Sequence, residues 1–117
     1  MSCLFNSMNV FFPEDSYKIR QKVCDYLENG GVIIEGLDTK LILSFERNNY
    51  IQHMRNTSTW GGAIEIQAAC NIWNTKIVVH NIRDRSGGKI EFVPVNEQPD
   101  KSIHITWNGG HYEPMRI

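Results

Sequence analysis

Apolar side chains recur at two different periods along the chain, and each period predicts its own kind of element. In "SYKIRQKVCDYLENGG" they recur every three or four positions, which predicts a helix over Ser16–Asn29 with Ser16 as its N-cap and Gly30 as its stop. The same spacing in "AIEIQAACNIW" predicts a second helix over Ala63–Trp73, after a loop in "TSTWGG". Both helices precede the point where the period changes.

After Asn74 the apolar period becomes two, which is typical of strands. Three strands are predicted, over residues 76–82, 90–95 and 102–107, with loops between them. Helices followed by a cluster of strands predict an α/β fold in an α+β arrangement, with helices packed on a small, mainly antiparallel sheet. At 117 residues, we expect a single domain spanning 1–117.

Two further segments have a weaker pattern. The first, "CLFNSMNVFF", predicts a short helix that begins at or just before Cys3 and is closed by Pro13. Its apolar side comprises Leu4, Phe5, Met8 and Phe12. The second, residues 32–56, predicts an extended piece followed by a short helix that ends in "YIQHM".

Composition and charge exclude several classes of protein. Hydrophobic residues make up 41% of the chain and charged residues 21%, and the formal net charge is −1. Lys and Arg are scattered, which argues against a nucleic-acid-binding protein. The sequence contains no apolar run of membrane-spanning length and no secretory signal. We therefore expect a soluble, cytoplasmic, monomeric protein without membrane or nucleic-acid partners.

Three cysteines are widely spaced along the chain, at Cys3, Cys24 and Cys70. The odd count and the lack of a CxxC or His/Cys cluster argue against a disulfide framework and a zinc site, so we expect no metal or other cofactor. Cys24 and Cys70 follow the apolar spacing of the predicted helices, which indicates small core residues. Cys3 instead lies at the predicted start of a helix.

Cys3 and His111 are the best candidates for a thiol nucleophile and its base. A helix N-terminus favours the thiolate, the form that attacks carbonyl carbons. His111 follows two glycines at the end of the last predicted strand, whereas the other three histidines suit structural or solvated positions: His53, His80 and His104. If the chain stays extended after His111, Glu113 lies on the same face and can orient the imidazole. From spacing alone, a chance grouping of the three residues stays open.

Four stretches in this order resemble the ovarian-tumour (OTU) family of cysteine proteases: "CLFNS", "YIQHM", "TWGGAIEIQAACNIWNTKIVV" and "ITWNGGHYEPM". The resemblance covers nearly the whole chain. It implies a papain-like α/β fold with a thiol site between a helix and a sheet. It also implies a deubiquitinase, which hydrolyses the isopeptide or peptide bond after the C-terminal Gly-Gly of ubiquitin or a ubiquitin-like modifier.

Residue by residue, the resemblance makes Cys3 the nucleophile and His111 the general base. Glu113 takes the third position, where the family more often has Asn or Asp, and Asn108 is a second candidate for it. Three residues are implied in substrate binding: Trp60, Trp107 and Gly110. For Trp60, a core position at a helix start is an equally open interpretation. The family likeness also points to residues 32–55 as the surface that binds the body of ubiquitin.

The sequence departs from the family pattern in ways that keep other functions open. The family usually has Asp-Gly-x-Cys before the helix, with the Asp-containing loop helping to form the oxyanion hole, and here Met1 stands at the Gly position. Asn6 stands where Arg is common. An inactive OTU-like ubiquitin-binding module and a papain-like thiol hydrolase of small substrates are therefore the alternatives. The short chain suggests a viral or bacterial effector acting in the host cytosol.

Overall fold

The computed structural model describes residues 2–95 and 98–115. Over these residues the chain forms five helices and four strands. The helices are α1 (Cys3–Asn9), α2 (Ser16–Glu28), α3 (Thr39–Glu46), α4 (Tyr50–Met54) and α5 (Ala63–Trp73). The strands are β1 (Thr75–Asn81), β2 (Lys89–Phe92), β3 (Lys101–Trp107) and β4 (Tyr112–Met115). In the described ranges, no helix has the length and apolar character needed to cross a bilayer.

The strands form one sheet in the order β2-β1-β3-β4. β1 pairs with β2, and β3 with β4, in antiparallel fashion, whereas β1 and β3 run parallel with Ile77 opposite Ile103. The predicted α/β fold with a mainly antiparallel sheet is thus confirmed. His111 was expected at the end of the last strand, and this was wrong: the chain turns there and adds β4 as a fourth strand at the sheet edge.

The core lies between one face of the sheet and helices α1, α2 and α5. The predicted apolar side of α1 is buried in it, with Leu4, Phe5 and Met8 fully inaccessible. Cys24 and Cys70 are fully buried as well, as their spacing predicted. Because α1 packs against both α2 and β4, its first residue is brought to the edge of the sheet where the chain ends its last turn.

Three local predictions were wrong. Residues 32–56 were expected to form an extended piece and one short helix, but they contain a second helix, α3, whose N-cap Asp38 accepts a hydrogen bond from the Lys40 N–H at 3.3 Å. Asp15, not Ser16, caps α2, and its carboxylate accepts from the Lys18 N–H at 2.8 Å. The helix α1 ends at Asn9, well before Pro13, and a turn follows in which the N–H groups of residues 11 and 12 both bond to the Met8 carbonyl.

Candidate active site

Cys3 is the first residue of α1, and its half-buried thiol is free. The next two side chains, Leu4 and Phe5, lie in the core and fix the start of the helix. One turn further on, the Ser7 hydroxyl donates to the Cys3 carbonyl at 2.8 Å. The N–H groups of a first helical turn have no partner within the helix, so a negative charge near Cys3 is favoured there.

His111 lies in the turn between β3 and β4, and Asn108 shapes that turn. The Asn108 side-chain oxygen accepts from the backbone N–H groups of Gly110 at 3.1 Å and His111 at 2.9 Å. The backbone N–H of Asn108 donates to the His111 carbonyl at 3.2 Å. Gly109 has φ +102°, and a Cβ there would lie 2.4 Å from the Arg83 side chain. A side chain at position 109 would therefore be strained and would also clash.

Glu113 lies beside the His111 ring, with 3.6 Å between Nε2 of the histidine and Oε1 of the glutamate. β4 is extended here, so residues 111 and 113 point to the same side as predicted. The two side chains are 49% and 67% exposed. Asn108, the other candidate for the third position, uses its side-chain oxygen on the backbone of the turn, and in the described residues it makes no hydrogen bond to the imidazole.

Cys3 and His111 line the same cleft, although almost the entire chain separates them in sequence. The cleft has a volume of about 470 Å³. Its lining residues come from one face of α1 and from the start of β4: Cys3, Asn6, Ser7, Val10, His111, Tyr112, Glu113 and Pro114. In the described residues no hydrogen bond joins the thiol to the imidazole, so proton transfer requires the two side chains to close on each other, as is common for unliganded sites.

Tyr112 and Asn6 complete the cleft. Burial raises the pKa of the Tyr112 phenol, and the neighbouring acidic groups of Cys3 and Glu65 raise it further, so the phenol stays neutral beside the thiol. Asn6 stands one turn after Cys3 on the same side of α1, and its side-chain oxygen accepts from the Ser16 hydroxyl. The position where the family commonly has Arg is therefore occupied by a neutral amide tied to the start of α2.

The predicted substrate-binding residues lie outside that cleft. Trp60 is 52% exposed, so its interpretation as a core residue was wrong. It lines a second groove of about 300 Å³ together with Gly61, Gly62 and parts of α4 and α5. Trp107 is half-buried opposite Tyr112 in the β3–β4 pair, and Gly110 faces open space. A Cβ at Gly61 would lie 2.7 Å from Leu4, so the loop before α5 is pressed against α1.

Sequence reasoning missed a polar group inside the fold, formed by Arg20, Glu65 and the half-buried Tyr50. Arg20 and Glu65 are buried, and the Tyr50 hydroxyl donates to the Glu65 carboxylate at 2.6 Å. Burial raises the pKa of the Glu65 carboxyl, while its hydrogen bonds to Tyr50 and Gly62 oppose that shift. The sequence carried a signal for Arg20, because it precedes Val23, Cys24 and Leu27 at helical spacing on the apolar side of α2.

The remaining histidines lie away from the cleft. His53 is exposed on α4. His80 and His104 lie on the neighbouring strands β1 and β3, with 2.8 Å between Nε2 of His80 and Nδ1 of His104. Burial and the charge of His80 lower the pKa of His104. Across residues 2–95 and 98–115, no group of three or more His, Cys, Asp or Glu side chains is arranged to hold a metal ion.

Comparison with known proteins agrees with this geometry. Residues 2–112 match the family described as OTU-like cysteine protease. A curated relative from Arabidopsis thaliana, "OVARIAN TUMOR DOMAIN-containing deubiquitinating enzyme 4", is 24% identical over 83 residues, which cover 68% of this chain and 26% of the relative. "Ubiquitin thioesterase OTU1" from Mus musculus is 25% identical over 98% of this chain and 33% of its own length. The chain thus spans about a quarter to a third of these relatives.

Solved structures of OTU domains have the same fold. One OTU domain in complex with ubiquitin superposes with a TM-score of 0.75 and 28% identity, over 97% of this chain and 62% of that one. An OTU deubiquitinase from Wolbachia pipientis wMel bound to ubiquitin gives a TM-score of 0.65 at 16% identity, over 98% of this chain and 89% of that one. The sequence match over residues 2–112 shows that the chain belongs to the OTU-like cysteine protease family.

Proposed function

We propose that this domain is a deubiquitinase, which uses Cys3 and His111 to hydrolyse the bond after the C-terminal Gly-Gly of ubiquitin or a ubiquitin-like modifier. The observation that carries the proposal is that the thiol at the start of α1 and the imidazole of the β3–β4 turn line one cleft. The names of the curated relatives, a deubiquitinating enzyme and a ubiquitin thioesterase, support this reaction class.

The reaction proceeds in two stages. His111 takes the proton from the Cys3 thiol, and the thiolate attacks the carbonyl carbon of the terminal glycine. The protonated imidazole then gives its proton to the leaving lysine amine, and the C–N bond breaks to leave a thioester on Cys3. In the second stage His111 takes a proton from water, whose oxygen attacks the thioester carbon. The C–S bond breaks, the proton on His111 returns to the Cys3 sulfur, and the carboxylic acid loses its remaining proton to solvent.

Glu113 sets which ring nitrogen of His111 carries the proton. Its carboxylate lies beside Nε2, which favours a hydrogen on that nitrogen and leaves Nδ1 free to accept the proton of the thiol. The same carboxylate stabilises the imidazolium that forms during the reaction. For the oxyanion of the tetrahedral intermediate, we assign the Cys3 N–H as one donor, because it lies in the first turn of α1.

The Gly-Gly tail reaches the thiol between two loops in this proposal. We place the loop Trp60–Gly62, where Gly61 touches the start of α1, on one side of this passage, and the β3–β4 turn with Trp107 and Gly110 on the other. A slot walled by backbone and by indole rings rejects any residue that carries a Cβ. Glycine at the last two positions of the substrate is therefore the residue that such a passage selects.

The body of ubiquitin docks on α3 in this proposal. Leu41 and Phe45 are exposed and lie four residues apart on α3, so they share one side of the helix, and Leu37, which precedes the Asp38 N-cap, is exposed as well. We call these three residues the docking stripe. Phe45 is 80% exposed. Glu46, the last residue of α3, also lines the groove that holds Trp60. The solved OTU complexes with ubiquitin support the choice of partner.

We also propose that the domain works as a monomer in the cytoplasm. The chain has three free thiols, of which Cys3 is accessible, and a thiol nucleophile needs a reducing compartment to stay active. An origin in a virus or a bacterial effector stays a prediction, since the similar proteins come from a plant, a mouse, a bacterium and a virus.

A ubiquitin probe with a C-terminal electrophile tests the function. We expect the probe to form a covalent adduct, mapped by mass spectrometry to Cys3, and the Cys3→Ala variant to form none. Binding without an adduct would replace the proposal with an inactive ubiquitin-binding module. A protein that neither binds nor reacts, yet hydrolyses small thioester or amide substrates, would be a thiol hydrolase of small molecules.

A further inference from the structure

Arg20 is the largest side chain that is buried completely. It lies on α2, on the side that packs against the core, and its guanidinium reaches parts of the chain that are distant in sequence. Burial lowers the pKa of this group, so the fold holds a cation where water does not reach it. A side chain of this kind is retained only if its hydrogen bonds are made, because a buried charge without partners is strongly destabilising.

Both terminal nitrogens of the guanidinium hold the end of α4 and the loop that follows it. Arg20 Nη1 donates to the Met54 carbonyl at 2.7 Å. Nη2 donates to the Thr59 carbonyl at 2.9 Å and, at a longer 3.4 Å, to that of Thr57. These carbonyls belong to the end of α4 and the irregular loop that leads to Gly61. The rigid fork of the guanidinium suits such a set of separate acceptors, whereas an ammonium group does not.

The same guanidinium also holds the start of α1 on both sides of the thiol. Nη2 donates to the Ser2 hydroxyl at 3.3 Å, and that hydroxyl donates to the Thr57 carbonyl at 3.3 Å. The guanidinium carbon lies 4.4 Å from the centre of the Phe5 ring, within cation–π range. Ser2 precedes Cys3 and Phe5 follows it by two residues, so Arg20 contacts side chains on both sides of the nucleophile along the chain.

The far end of the loop is fixed by Glu65. Its Oε1 accepts from the Gly62 N–H at 2.7 Å, and its Oε2 accepts from the Tyr50 hydroxyl. The loop 55–62 is thus held at its beginning by a buried arginine and at its end by a buried glutamate. Of these two, Arg20 is the one that also touches residues next to Cys3.

We propose that Arg20 is a positioning residue, which fixes the thiol of Cys3 relative to the loop that walls the Gly-Gly passage. The inference rests on the proposed function for its kinetic consequence, but the contacts themselves do not depend on it. Without Arg20, the start of α1 and the loop 57–62 would move independently. A displacement of the order of 1 Å at a nucleophile lowers the rate by about 100-fold.

The Arg20→Met variant tests this, because methionine keeps an unbranched apolar stem and removes the fork. With a ubiquitin substrate that carries a small fluorogenic amide, we expect kcat to fall by about 10- to 100-fold. The Kd for ubiquitin, measured in a Cys3→Ala background, should stay within about twofold, since the docking stripe on α3 is elsewhere. A Kd that weakens in parallel with the rate would overturn the positioning role.

Alkylation by iodoacetamide gives a readout that needs no ubiquitin. We expect the rate at Cys3 to change severalfold in Arg20→Met, together with faster hydrogen exchange in the loop 57–62. Peptide mapping is needed because Cys24 lies one turn from Arg20 and loses protection if α2 opens. If wild-type protein fails to cleave the ubiquitin substrate, the proposed function fails; if it cleaves and Arg20→Met matches it in kcat and alkylation, this inference fails.

Gln21→Met is the matched control. Gln21 also ties α2 to the chain after α4, through the Arg55 carbonyl at 3.1 Å and the Arg55 guanidinium at 2.8 Å. Among the described residues, its side chain makes no hydrogen bond to residues 2–5. We expect its kcat and Cys3 alkylation to match wild type. If Arg20→Met does not fold, Arg20→Lys decides: it keeps a cation but not the fork, and an unchanged kcat in a folded Arg20→Lys protein would overturn the proposal.

Discussion

The two halves of the candidate site are held by different means. The thiol half stands on core residues, because Leu4 and Phe5 are fully buried and Arg20 clamps the start of α1. The imidazole half stands on an exposed turn, held by the Asn108 side chain and by the pairing of an edge strand. Substitutions in the core beneath the nucleophile should therefore lower the stability of the whole fold. Substitutions in the turn that carries the base should mainly lower activity.

Removing either reacting group gives the largest effect on activity. Cys3→Ala should abolish turnover, because no other thiol is accessible, and His111→Ala should lower kcat by about 10²–10⁴-fold, because the proton has no acceptor. Cleavage of a fluorogenic ubiquitin substrate measures both. Thermal unfolding should show that both variants are folded. A kcat of Cys3→Ala equal to that of wild type would exclude Cys3 as the nucleophile.

Leu4→Ala and Gly109→Ala compare the supports of the two halves directly. Leu4→Ala empties a core position and should lower the free energy of unfolding by about 2–5 kcal/mol. Gly109→Ala puts a Cβ in a left-handed conformation against Arg83, so we expect a rearranged turn with reduced kcat and a smaller loss of stability. Urea unfolding and kcat on the same samples separate the effects. A global loss of stability in Gly109→Ala as large as in Leu4→Ala would break the comparison.

Substitutions at the third position are expected to be milder. Glu113→Ala should lower kcat by about tenfold, because the carboxylate that orients the imidazole is exposed and solvent partly replaces it. Glu113→Gln keeps a hydrogen-bond acceptor, so we expect its kcat to lie between those of Glu113→Ala and wild type. Asn108→Ala releases the turn instead. If Asn108→Ala lowers kcat more than Glu113→Ala while the turn stays intact by NMR, Asn108 takes the third role.

The docking stripe lies apart from both halves and should affect KM alone. Phe45→Ala is expected to raise KM for the ubiquitin substrate several-fold with little change in kcat, because it removes binding made equally in ground and transition states. Ile90→Ala is the control, since Ile90 is an exposed apolar side chain on β2 outside the stripe. Equal KM effects in the two variants would place ubiquitin elsewhere.

The smallest expected effect is a dependence of the free energy of unfolding on pH, which His104 on β3 causes. His104 faces the positive groups His80, Lys89 and Lys76, with Glu91 opposing them, and burial is the first cause of its lowered pKa. As the pH falls, His104 therefore takes up its proton in the unfolded chain before it does so in the folded one. Its contribution to the free energy of unfolding is fully present above the ordinary histidine pKa of about 6.5, and it is lost as the pH falls through the lower pKa of the folded state. Urea midpoints at pH 7 and pH 5 should differ less in His104→Gln than in wild type.

Local patterns predicted the elements whose own residues decide them. The helical spacing of α2 and α5, the alternation in β1 and β3, and the placement of Cys3 at a helix start were all visible in sequence. β4 was not predicted as a separate strand, because it is short and contains Pro114, which an edge strand tolerates. α3 was missed because its branched apolar residues resemble a strand, while its burial is decided by packing against α2 and α4.

Arg20 was missed for a different reason. Its acceptors are backbone carbonyls of Met54, Thr57 and Thr59, more than thirty residues further along the chain, and carbonyls carry no signature in sequence. A charged residue on a helix is usually solvated, so its apolar spacing was the one visible sign of burial. Likewise the exposure of Trp60 depends on where the loop packs against α1.

Cys3 and His111 lie at opposite ends of residues 2–112, the part of the chain that matches the OTU-like family. Their separation affects when the site can form during synthesis. In a nascent chain Cys3 leaves the ribosome well before its base, because His111 lies in the β3–β4 turn near the other end of the matched residues. Long-range pairings of this kind form late. We therefore expect the candidate site to be completed in one step, when the β3–β4 turn folds, and a chain interrupted before that turn to carry a thiol without its base.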